Sequence, residues 1–396
     1  MNKNNKISCV YKIVERCNIN CTYCYFFYGG DESYKEHPPY ASFDVTQDFA
    51  NFLKQGCLDL NLSKVTIGYH GGEPLMIGPK NLAKMCDIFN ETLRDIAEVE
   101  YTLQTNGILI NDEWIEVFDK YHIYPGISLD GPAIYNDIYR LDKKGKSTYE
   151  RTVRGIKKLI ESKLNYYPGV LCVINPNANP RKIYRHFVDE LNLTGIDFLL
   201  PHTPHGKPLP GTPEQYGKFL CELFDEWANE DNPNIRIRLF KDAMHSLSGG
   251  YSSVYGRGFN DRREEDFSHH LLNVSSNGDL GPVSELMTTS SDVMHTGYNV
   301  KTHTLSDLLN LPVFRQISEA LKTVPDACKT CCWQRVCGGG DLVTRFSKER
   351  GFNNPSTLCT GLYEFYSHVA AYMLSNGIDE NEMLKNINIE PSHATV

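Results

Sequence analysis

Short apolar runs alternate with amphipathic segments along the first 200 residues of the chain. The apolar runs have the length and composition of strands, and they are Ser8–Val14, Lys64–Tyr69, Val99–Gln104, Tyr124–Leu129, Gly169–Ile174 and Ile196–Leu200. The segments between them have helical spacing, and they are Val45–Asp59, Pro79–Ile96, Asp112–Lys120, Thr148–Ser162 and Pro180–Leu193. Six repeats of a buried strand and a helix predict an α/β fold with a parallel sheet covered by helices.

The loops that follow these strands distinguish between two parallel folds. Glycine, carboxylates, amides and hydroxyls are concentrated after the second, third and fourth strands, in segments 70–74, 104–107 and 128–132. Barrel enzymes carry their chemistry at the carboxyl ends of their strands. A partial (β/α)6 barrel of the TIM type therefore fits better than a doubly wound sheet.

The pattern changes after residue 200. Pro201–Pro213 is rich in proline, glycine and histidine, a helix is predicted over Pro213–Glu230, and Asp231–Arg263 is expected to be irregular. We therefore predict three regions, which are a barrel at 1–205, a helical bridge at 206–265 and a cysteine-rich domain at 266–396.

Length, composition and charge narrow the class of protein. The 396 residues are 41% hydrophobic and 22% charged, as in folded proteins with one large and one smaller domain. There is no signal peptide and no apolar stretch of membrane length, so we expect a cytoplasmic protein without a membrane partner. The net charge of −9 and the lack of Lys/Arg runs argue against a nucleic-acid partner.

The 13 cysteines are unevenly placed. Three form a group near the amino end, five lie between Cys328 and Cys359, and the isolated ones are Cys9, Cys57, Cys86, Cys172 and Cys221. Because there is no export signal, we interpret the grouped cysteines as metal ligands and the isolated ones as core residues.

Cys17, Cys21 and Cys24 form a C-x3-C-x2-C triplet. An iron–sulfur cube usually takes four protein ligands, so three thiolates would leave one iron open for a substrate or cofactor. The alternatives are a zinc site or disulfides. Zinc prefers a closed set of four ligands, and no histidine or fourth cysteine follows at usable spacing.

This spacing, with an aromatic residue on each side of the last cysteine, resembles the cluster loop of the radical S-adenosylmethionine (SAM) enzymes. In that family the open iron binds the amino acid end of SAM, which is cleaved to a 5′-deoxyadenosyl radical. The segment Gly71-Gly72-Glu73-Pro74 is similar to the family's motif for the amino group of SAM. The resemblance covers about residues 7–205 and implies two cofactors, SAM and the [4Fe–4S] cluster that binds it.

The same resemblance implies further contacts with SAM. It places Tyr23 beside the adenine and Ser128 at the polar end of the cofactor. Arg140, twelve residues later, would bind the cofactor carboxylate, because a guanidinium fork suits a planar anion. Leu199 is an adenine contact by its position. The alternative for Arg140 is a solvated charge on a helix.

The second group of cysteines resembles the SPASM extension of peptide-modifying radical SAM enzymes. That module reads C-x2-C-x5-C-x3-C with a later cysteine, and a G-x4-C hairpin precedes it. Cys328, Cys331, Cys337 and Cys359 match the four ligands of one closed auxiliary [4Fe–4S] cluster, and Cys332 is an extra thiol. A structural zinc site remains the alternative, because four thiolates in two pairs also suit zinc.

The ligands of another auxiliary cluster are missing together. Asp341 stands where the module has a cysteine after its three-residue spacer, and Val283 stands where the hairpin has its ligand. No cysteine occurs between Cys221 and Cys328. We therefore predict one auxiliary cluster.

These resemblances imply a maturase that acts on a ribosomally made precursor peptide and receives electrons from a low-potential donor such as flavodoxin or ferredoxin. The segment from Cys337 to Phe346 resembles the Xye-type enzymes, which form three-residue cyclophanes by joining an aromatic ring to the β-carbon of a residue two positions later. Glu285 and Asp341 are the candidate bases.

Other activities remain open. Thioether formation, epimerisation and sulfatase-type formylglycine maturation use the same module, and a non-catalytic iron–sulfur electron carrier is the alternative from a different class. Family members can carry a catalytic aspartate directly after the hairpin, where this chain has Ser284. The missing aspartate argues against sulfatase-type maturation.

Overall fold

The structure is a computed structural model, and it describes residues 6–162, 164, 169–250 and 271–387. Its strands are β1 (Lys6–Val14), β2 (Ile19–Cys21), β3 (Lys64–Gly71), β4 (Glu98–Thr105), β5 (Tyr124–Ser128), β6 (Arg140–Asp142), β7 (Gly169–Val173), β8 (Gly195–Leu199), β9 (Arg236–Ile237), β10 (Leu271–Val274), β11 (Asp279–Gly281) and β12 (Tyr298–Asn299).

Helices separate most of these strands. They are α1 (Tyr25–Tyr28), α2 (Phe43–Leu60), α3 (Pro79–Thr92), α4 (Asp112–Tyr121), α5 (Ala133–Tyr139), α6 (Tyr149–Glu161), α7 (Pro180–Arg185), α8 (Pro213–Glu230), α9 (Arg238–Leu247), α10 (Ser291–Met294), α11 (Leu305–Leu309), α12 (Pro312–Lys322), α13 (Gln334–Cys337), α14 (Leu342–Arg345), α15 (Cys359–Ser375) and α16 (Glu380–Ile387). Across the described ranges, no helix has the length and apolarity that crossing a membrane requires.

The described residues divide into two compact units. The first holds the described part of 6–172, Leu191–Gly195 and 271–318, and the second holds Val173–Glu190, 196–250 and 319–387. The predicted boundary at 265 lies outside the described residues, so the division into three regions stays a prediction.

The first unit is built on a mostly parallel sheet in the order β12-β11-β10-β1-β3-β4-β5-β7. Neighbours from β10 through β7 pair in parallel, whereas β11 pairs antiparallel with β10 and with β12. From β1 to β7 the order follows the chain in one direction, with a helix at each crossover. A doubly wound sheet would reverse its order at a switch point. The predicted α/β class with a barrel-type wall is confirmed.

Alternation along the strands gives the sheet two chemically different faces. Tyr11 of β1 packs edge-on against Phe49 at 5.2 Å and Phe89 at 6.3 Å, on the helix-covered face. Tyr69 of β3 stacks on Tyr101 of β4 at 5.7 Å on the same face. The next residues along β1 and β3 point to the opposite face, where the polar side chains of the candidate site lie.

The predicted elements agree closely with the observed ones before residue 200. The bounds of all six strands lie within two residues of the prediction. The last predicted helix is α-helical only to Arg185 and continues as a π turn at His186–Glu190. The isolated cysteines are all buried, as expected of core residues.

One prediction after residue 200 needs correction, and one strand in this part of the chain was not predicted. The stretch expected to be irregular contains α9, whose apolar residues Leu239, Phe240, Ala243 and Leu247 are buried at helical spacing. The carboxyl-terminal region also supplies β10, which pairs in parallel with β1. With only four residues, β10 is too short for its periodicity to be read.

The second unit has its own helical core. The helices α8 and α15 approach so closely that a Cβ on Gly217 would lie 2.7 Å from the Cα of Gly361. Phe224 of α8 packs against Phe240 of α9 at 5.3 Å. Thr212 begins α8 with the reciprocal hydrogen bonds of a capping box, which confirms the helix predicted over Pro213–Glu230.

Candidate functional site

The first cysteine triplet lies on the loop between β1 and α1. The short strand β2 pairs antiparallel with β6, which sets Cys21 opposite Arg140. The N–H of Cys24 donates to the carbonyl of Cys21 at 3.1 Å, and Cys24 then precedes the first turn of α1. An ionised Cys21 or Cys24 would raise the pKa of Cys17, so the three predicted thiols lie close together.

The protein keeps these thiols away from water. Burial raises the pKa of Cys17 to about 12 and that of Cys21 to about 11. Burial also raises the pKa of Cys24, although the N–H groups of Phe27 and Phe26 lower it. A metal must therefore displace the proton from each sulfur, as metals do at thiolate sites. Three soft, sheltered sulfurs fit an iron–sulfur cluster with one open iron.

The two glycines after β3 are required by packing. Gly71 has φ +120°, and a Cβ there would lie 2.1 Å from the carbonyl oxygen of Val14. A Cβ on Gly72 would lie 2.3 Å from the carbonyl oxygen of Arg16, directly before the cysteine loop. The N–H of Gly72 donates to Val14 at 2.7 Å, and that of Glu73 donates to Arg16 at 3.0 Å. The glycines thus hold the start of the cysteine loop, and their contact with SAM stays a prediction.

The carboxylate of Glu73 ties three loops together. It is almost fully buried and accepts hydrogen bonds from the N–H of Leu75 at 3.0 Å, Thr105 Oγ1 at 2.7 Å and the N–H of Asn106 at 2.8 Å. Asn106 Nδ2 donates to Asn18 Oδ1 at 2.7 Å, and that oxygen lies 3.7 Å from Cys17 Sγ. The ends of β3 and β4 are thereby linked to Cys17, the first cysteine of the triplet.

Arg140 belongs to a buried chain of hydrogen bonds. Its Nη1 donates to Tyr23 Oη at 3.0 Å, and Tyr23 Oη donates to Asp130 Oδ2 at 2.6 Å. Arg140 is 6% exposed, so the alternative of a solvated charge is wrong. An arginine and a carboxylate beside the cysteine loop can meet both charged groups of an amino acid. The individual assignments of Tyr23 and Arg140 to SAM stay predictions.

The other predicted SAM contacts lie at strand ends. Ser128 ends β5 and accepts a hydrogen bond from Gln104 Nε2 at 2.8 Å. Leu199 is half-buried at the end of β8, in the second unit. Their contacts with SAM stay predictions.

A further polar group faces away from the helices at the ends of β1 and β3. Lys12 and His70 are register partners on these neighbouring strands. Lys12 Nζ donates to Met287 Sδ at 3.2 Å and lies 4.8 Å from the centre of the Phe26 ring. Burial lowers the pKa of Lys12 to about 8, while Glu15, Asp31 and Glu285 act in the opposite direction.

Two atoms of this polar group have unmet hydrogen-bonding capacity. Among the described residues, neither His70 Nδ1 nor Glu285 Oε2 has a hydrogen-bond partner, although both are buried. Burial and the charge of Lys12 lower the pKa of His70 to about 4, so its imidazole is neutral at pH 7. Glu285 is thus one of a set of buried polar groups at the carboxyl end of the sheet.

The second cysteine group lines one cavity in the second unit. Cys328, Cys331, Cys337 and Cys359 share it with aromatic side chains that include Trp333. Burial is the main cause that raises the pKa of Cys337 to about 12 and that of Cys328 to about 11. The exposed Cys332 has its sulfur 3.7 Å from Tyr363 Oη and is not among the cavity residues.

The spacing of these sulfurs bears on the zinc alternative. Zinc with Zn–S bonds of about 2.3 Å needs thiolates about 3.8 Å apart. Four cysteines around a common cavity supply the ligand number of a closed [4Fe–4S] cluster and also that of a structural zinc site, so zinc stays the alternative.

The two positions without cysteine have other roles. Asp341 Oδ1 accepts from the N–H of Val343 at 2.9 Å and begins α14, and it lies 3.6 Å from His202 Nδ1. The glycines of its spacer, 338–340, all have positive φ, so the chain reaches Asp341 through a left-handed turn. Val283 precedes the helical turn Ser284–Thr288.

Comparison with known proteins assigns the first part of the chain. The family model for the radical SAM superfamily matches residues 11–187, which contain the cysteine triplet, Glu73 and Arg140. The chain is a radical SAM enzyme. SAM and the [4Fe–4S] cluster that binds it are therefore its cofactors.

Relatives of this radical SAM enzyme match along nearly all of their length. A serine-type anaerobic sulfatase-maturating enzyme of Bacteroides thetaiotaomicron is 26% identical over 90% of this chain and 87% of its own length. A cysteine-type anaerobic sulfatase-maturating enzyme of Clostridium novyi is 26% identical over 88% and 91%. The match therefore extends past residues 11–187 into the region of the second cysteine group.

Solved structures show the same fold. Native anSMEcpe with bound AdoMet is 23% identical, with a TM-score of 0.78 over 94% of this chain and 100% of that one. The same protein with AdoMet and the Cp18Cys peptide gives a TM-score of 0.77 over 97% and 100%.

Several residues of the site were not predicted from the sequence. Asn106 and Asp130 stand in loops recognised as rich in polar groups, but their partners Glu73 and Tyr23 are far away in the sequence. Lys12 lies in a run whose overall pattern predicts an apolar strand. The only signal in the sequence is a charged residue between two apolar ones in this strand, shortly before the cysteine loop.

Proposed function

We propose that this radical SAM enzyme is a maturase that modifies a ribosomally made precursor peptide. The relatives that match along its length are named as sulfatase-maturating enzymes, which act on another protein. The related fold with a TM-score of 0.77 was solved with a peptide bound. Both findings support a peptide substrate for this chain.

The reaction that we propose is the formation of a three-residue cyclophane. The observation that carries this proposal is one complete set of four cysteines beside two substituted ligand positions, Val283 and Asp341. One closed auxiliary cluster supplies a single electron acceptor, which is what a net oxidation of the peptide needs. The segment from Cys337 to Phe346 supports the Xye-type resemblance.

The proposed crosslink removes two hydrogen atoms from the peptide. The β-carbon of the second residue loses one hydrogen atom, which ends in 5′-deoxyadenosine, and the resulting carbon radical adds to the aromatic ring two positions earlier. The ring regains aromaticity when it loses a proton to a base and an electron to the auxiliary cluster. One C–C bond forms and two C–H bonds break, so atoms and electrons balance.

Glu285 is the better of the two candidate bases. Its Oε2 is buried without a hydrogen bond among the described residues, so it can accept a proton. Glu285 also interacts electrostatically with Lys12, the buried ammonium at the end of β1. Asp341 already accepts a helix-capping hydrogen bond and faces His202, which makes it the weaker candidate.

The remaining assignments complete the proposal. Cys17, Cys21 and Cys24 hold the SAM-binding cluster, and Tyr23, Ser128, Arg140 and the Gly71–Glu73 backbone contact SAM, with Leu199 near the adenine. Cys328, Cys331, Cys337 and Cys359 hold the auxiliary cluster. A flavodoxin or ferredoxin supplies the electron that starts each cycle.

Sulfatase-type formylglycine maturation is the second candidate, because the matching relatives are named as anaerobic sulfatase-maturating enzymes. Two features of this chain argue against it, the missing aspartate after the hairpin and the missing ligand at Val283. Thioether formation and epimerisation lack a specific observation in their favour.

The test begins with a search of the genes that flank this one for a short open reading frame, and the encoded peptide is incubated with the reconstituted enzyme, SAM and a reductant. Each crosslink should lower the peptide mass by two hydrogen atoms, and no backbone fragments should arise between the joined residues. Deuterium at the β-carbon should appear in 5′-deoxyadenosine. The Glu285→Gln variant should form much less crosslink, whereas Asp341→Asn should stay close to the wild type.

Deuterium transfer from an α-carbon would contradict the cyclophane and indicate an epimerase or an α-thioether enzyme. Conversion of a serine or cysteine in a sulfatase peptide to formylglycine would establish the second candidate instead.

A further inference from the structure

One tryptophan beside the second cysteine group has a buried donor with no acceptor. Trp333 is 8% exposed and stands between Cys331 and Cys337 in the chain. Its side chain lines the same cavity as the four cysteines. Among the described residues, no group accepts a hydrogen bond from Trp333 Nε1.

An unsatisfied indole N–H is unusual because burying it costs free energy. The indole nitrogen can only donate, and a buried donor without an acceptor loses its hydrogen bonds to water and gains none in return. Trp227, in the same unit, satisfies this need by donating to the carbonyl of Ile235 at 3.1 Å. Trp333 has no such carbonyl, although it is packed in place by Tyr363 and Tyr366 at centroid distances of 6.2 and 6.4 Å.

We propose that the Trp333 N–H donates a hydrogen bond to a sulfur of the auxiliary cluster held by Cys328, Cys331, Cys337 and Cys359. The inference rests on the proposed auxiliary cluster, whose sulfurs would supply the acceptor that Trp333 Nε1 does not find among the described residues. Trp333 is a positioning residue that tunes the electron acceptor and does not contact the peptide.

The consequence is a higher reduction potential for this cluster. Reduction adds negative charge to the cluster, and a hydrogen bond to sulfur stabilises the more negative form. Hydrogen bonds to sulfur are among the factors that set the potentials of such clusters. Trp333 thus makes the auxiliary cluster a better acceptor for the electron that the peptide loses.

The test is a potentiometric titration followed by EPR on the full-length enzyme with both clusters reconstituted. Trp333→Phe should shift the potential of the auxiliary cluster to more negative values and leave the SAM-binding cluster unchanged. Because phenylalanine also leaves space for water, a second variant carries β-(3-benzothienyl)alanine at position 333. This residue has the shape of tryptophan without the N–H, and it should produce the same direction of shift.

Trp227→Phe is the matched control, because that indole has its own acceptor, and its potentials should equal those of the wild type. An unchanged auxiliary potential in the benzothienyl variant would overturn the inference while leaving the proposed function intact. A wild-type enzyme with about four irons and bound zinc would overturn the auxiliary cluster itself, and the inference with it.

Discussion

The two cysteine groups of this radical SAM enzyme lie in very different surroundings. Charged and amide side chains surround the first group, where Asn106 connects Glu73 to Asn18 and Tyr23 connects Arg140 to Asp130. The second group shares its cavity with Trp333, Tyr363, Tyr366 and other uncharged residues. This difference in polarity follows from the number of thiols in each group, which is three in the first and four in the second.

Three thiols leave an iron open, and the molecule that binds there is an amino acid derivative with a charged amine and carboxylate. Charged partners near that iron are therefore needed. Four thiols would close the coordination of the proposed auxiliary cluster, so the second site would need only burial and a path for electrons. The polar surroundings of the first group thus suit the binding of a charged cofactor, and the uncharged surroundings of the second group suit electron transfer.

The largest effect should come from removing the open site. Replacing Cys17, Cys21 and Cys24 with alanine should reduce the formation of 5′-deoxyadenosine to background, because the radical chemistry belongs to the bound cofactor. Anaerobic chromatography of the products measures this. The absorbance of the auxiliary cluster should persist.

The matched control is Cys332→Ala, which removes the exposed extra thiol and should keep full cleavage of SAM. Undiminished cleavage of SAM in the triple variant would mean that the first cysteine group does not hold the open cluster.

Glu73→Gln should damage the first site and spare the second. The buried carboxylate accepts three hydrogen bonds, and an amide would turn an NH2 group toward at least one of the donors. We expect a loss of about 3 kcal/mol in the free energy of unfolding and weaker SAM binding. Urea unfolding and anaerobic titration with SAM measure these changes. Glu91→Gln, at an exposed position on α3, is the control and should change neither quantity.

A smaller effect, with a distinct pH dependence, should follow from Lys12→Met. At pH 7 the buried ammonium is charged at a cost, so methionine should raise the free energy of unfolding by about 2 kcal/mol. Because the folded-state pKa is lowered from 10.5 to about 8, the wild type binds fewer protons folded than unfolded above pH 8. Its stability should therefore rise between pH 8 and 10.5, and the gap between the two proteins should close.

Urea unfolding at a series of pH values measures this gap. Lys54→Met, at an exposed position on α2, should show no such convergence. A gap that stays constant from pH 7 to 10 would contradict a buried, charged Lys12.

The sequence predicts the parts of this structure that depend on local pattern. Alternating apolar runs predicted the strands to within two residues, because buried parallel strands are continuous in the chain. The spacing of Cys17, Cys21 and Cys24 predicted their convergence, because the loop that carries them is short.

Contacts between distant segments were beyond such prediction. The carboxylate of Glu73 meets Asn106 only because β3 and β4 pair in register. Whether Arg140 was buried or solvated could not be decided until β6 was seen beside β2. A periodicity argument also fails for β10, which has four residues and pairs with β1 from more than 250 positions away.

The central claim is that each chain holds one open and one closed iron–sulfur cluster. The count of iron and sulfide per chain tests this claim most directly. Anaerobic reconstitution of the wild type should give about eight irons, and Asp341→Asn should give the same value. A reproducible value near twelve would contradict the account, because Asp341 or another group would then complete a third cluster. A value near four with one zinc per chain would contradict it equally, because the second cysteine group would then be structural.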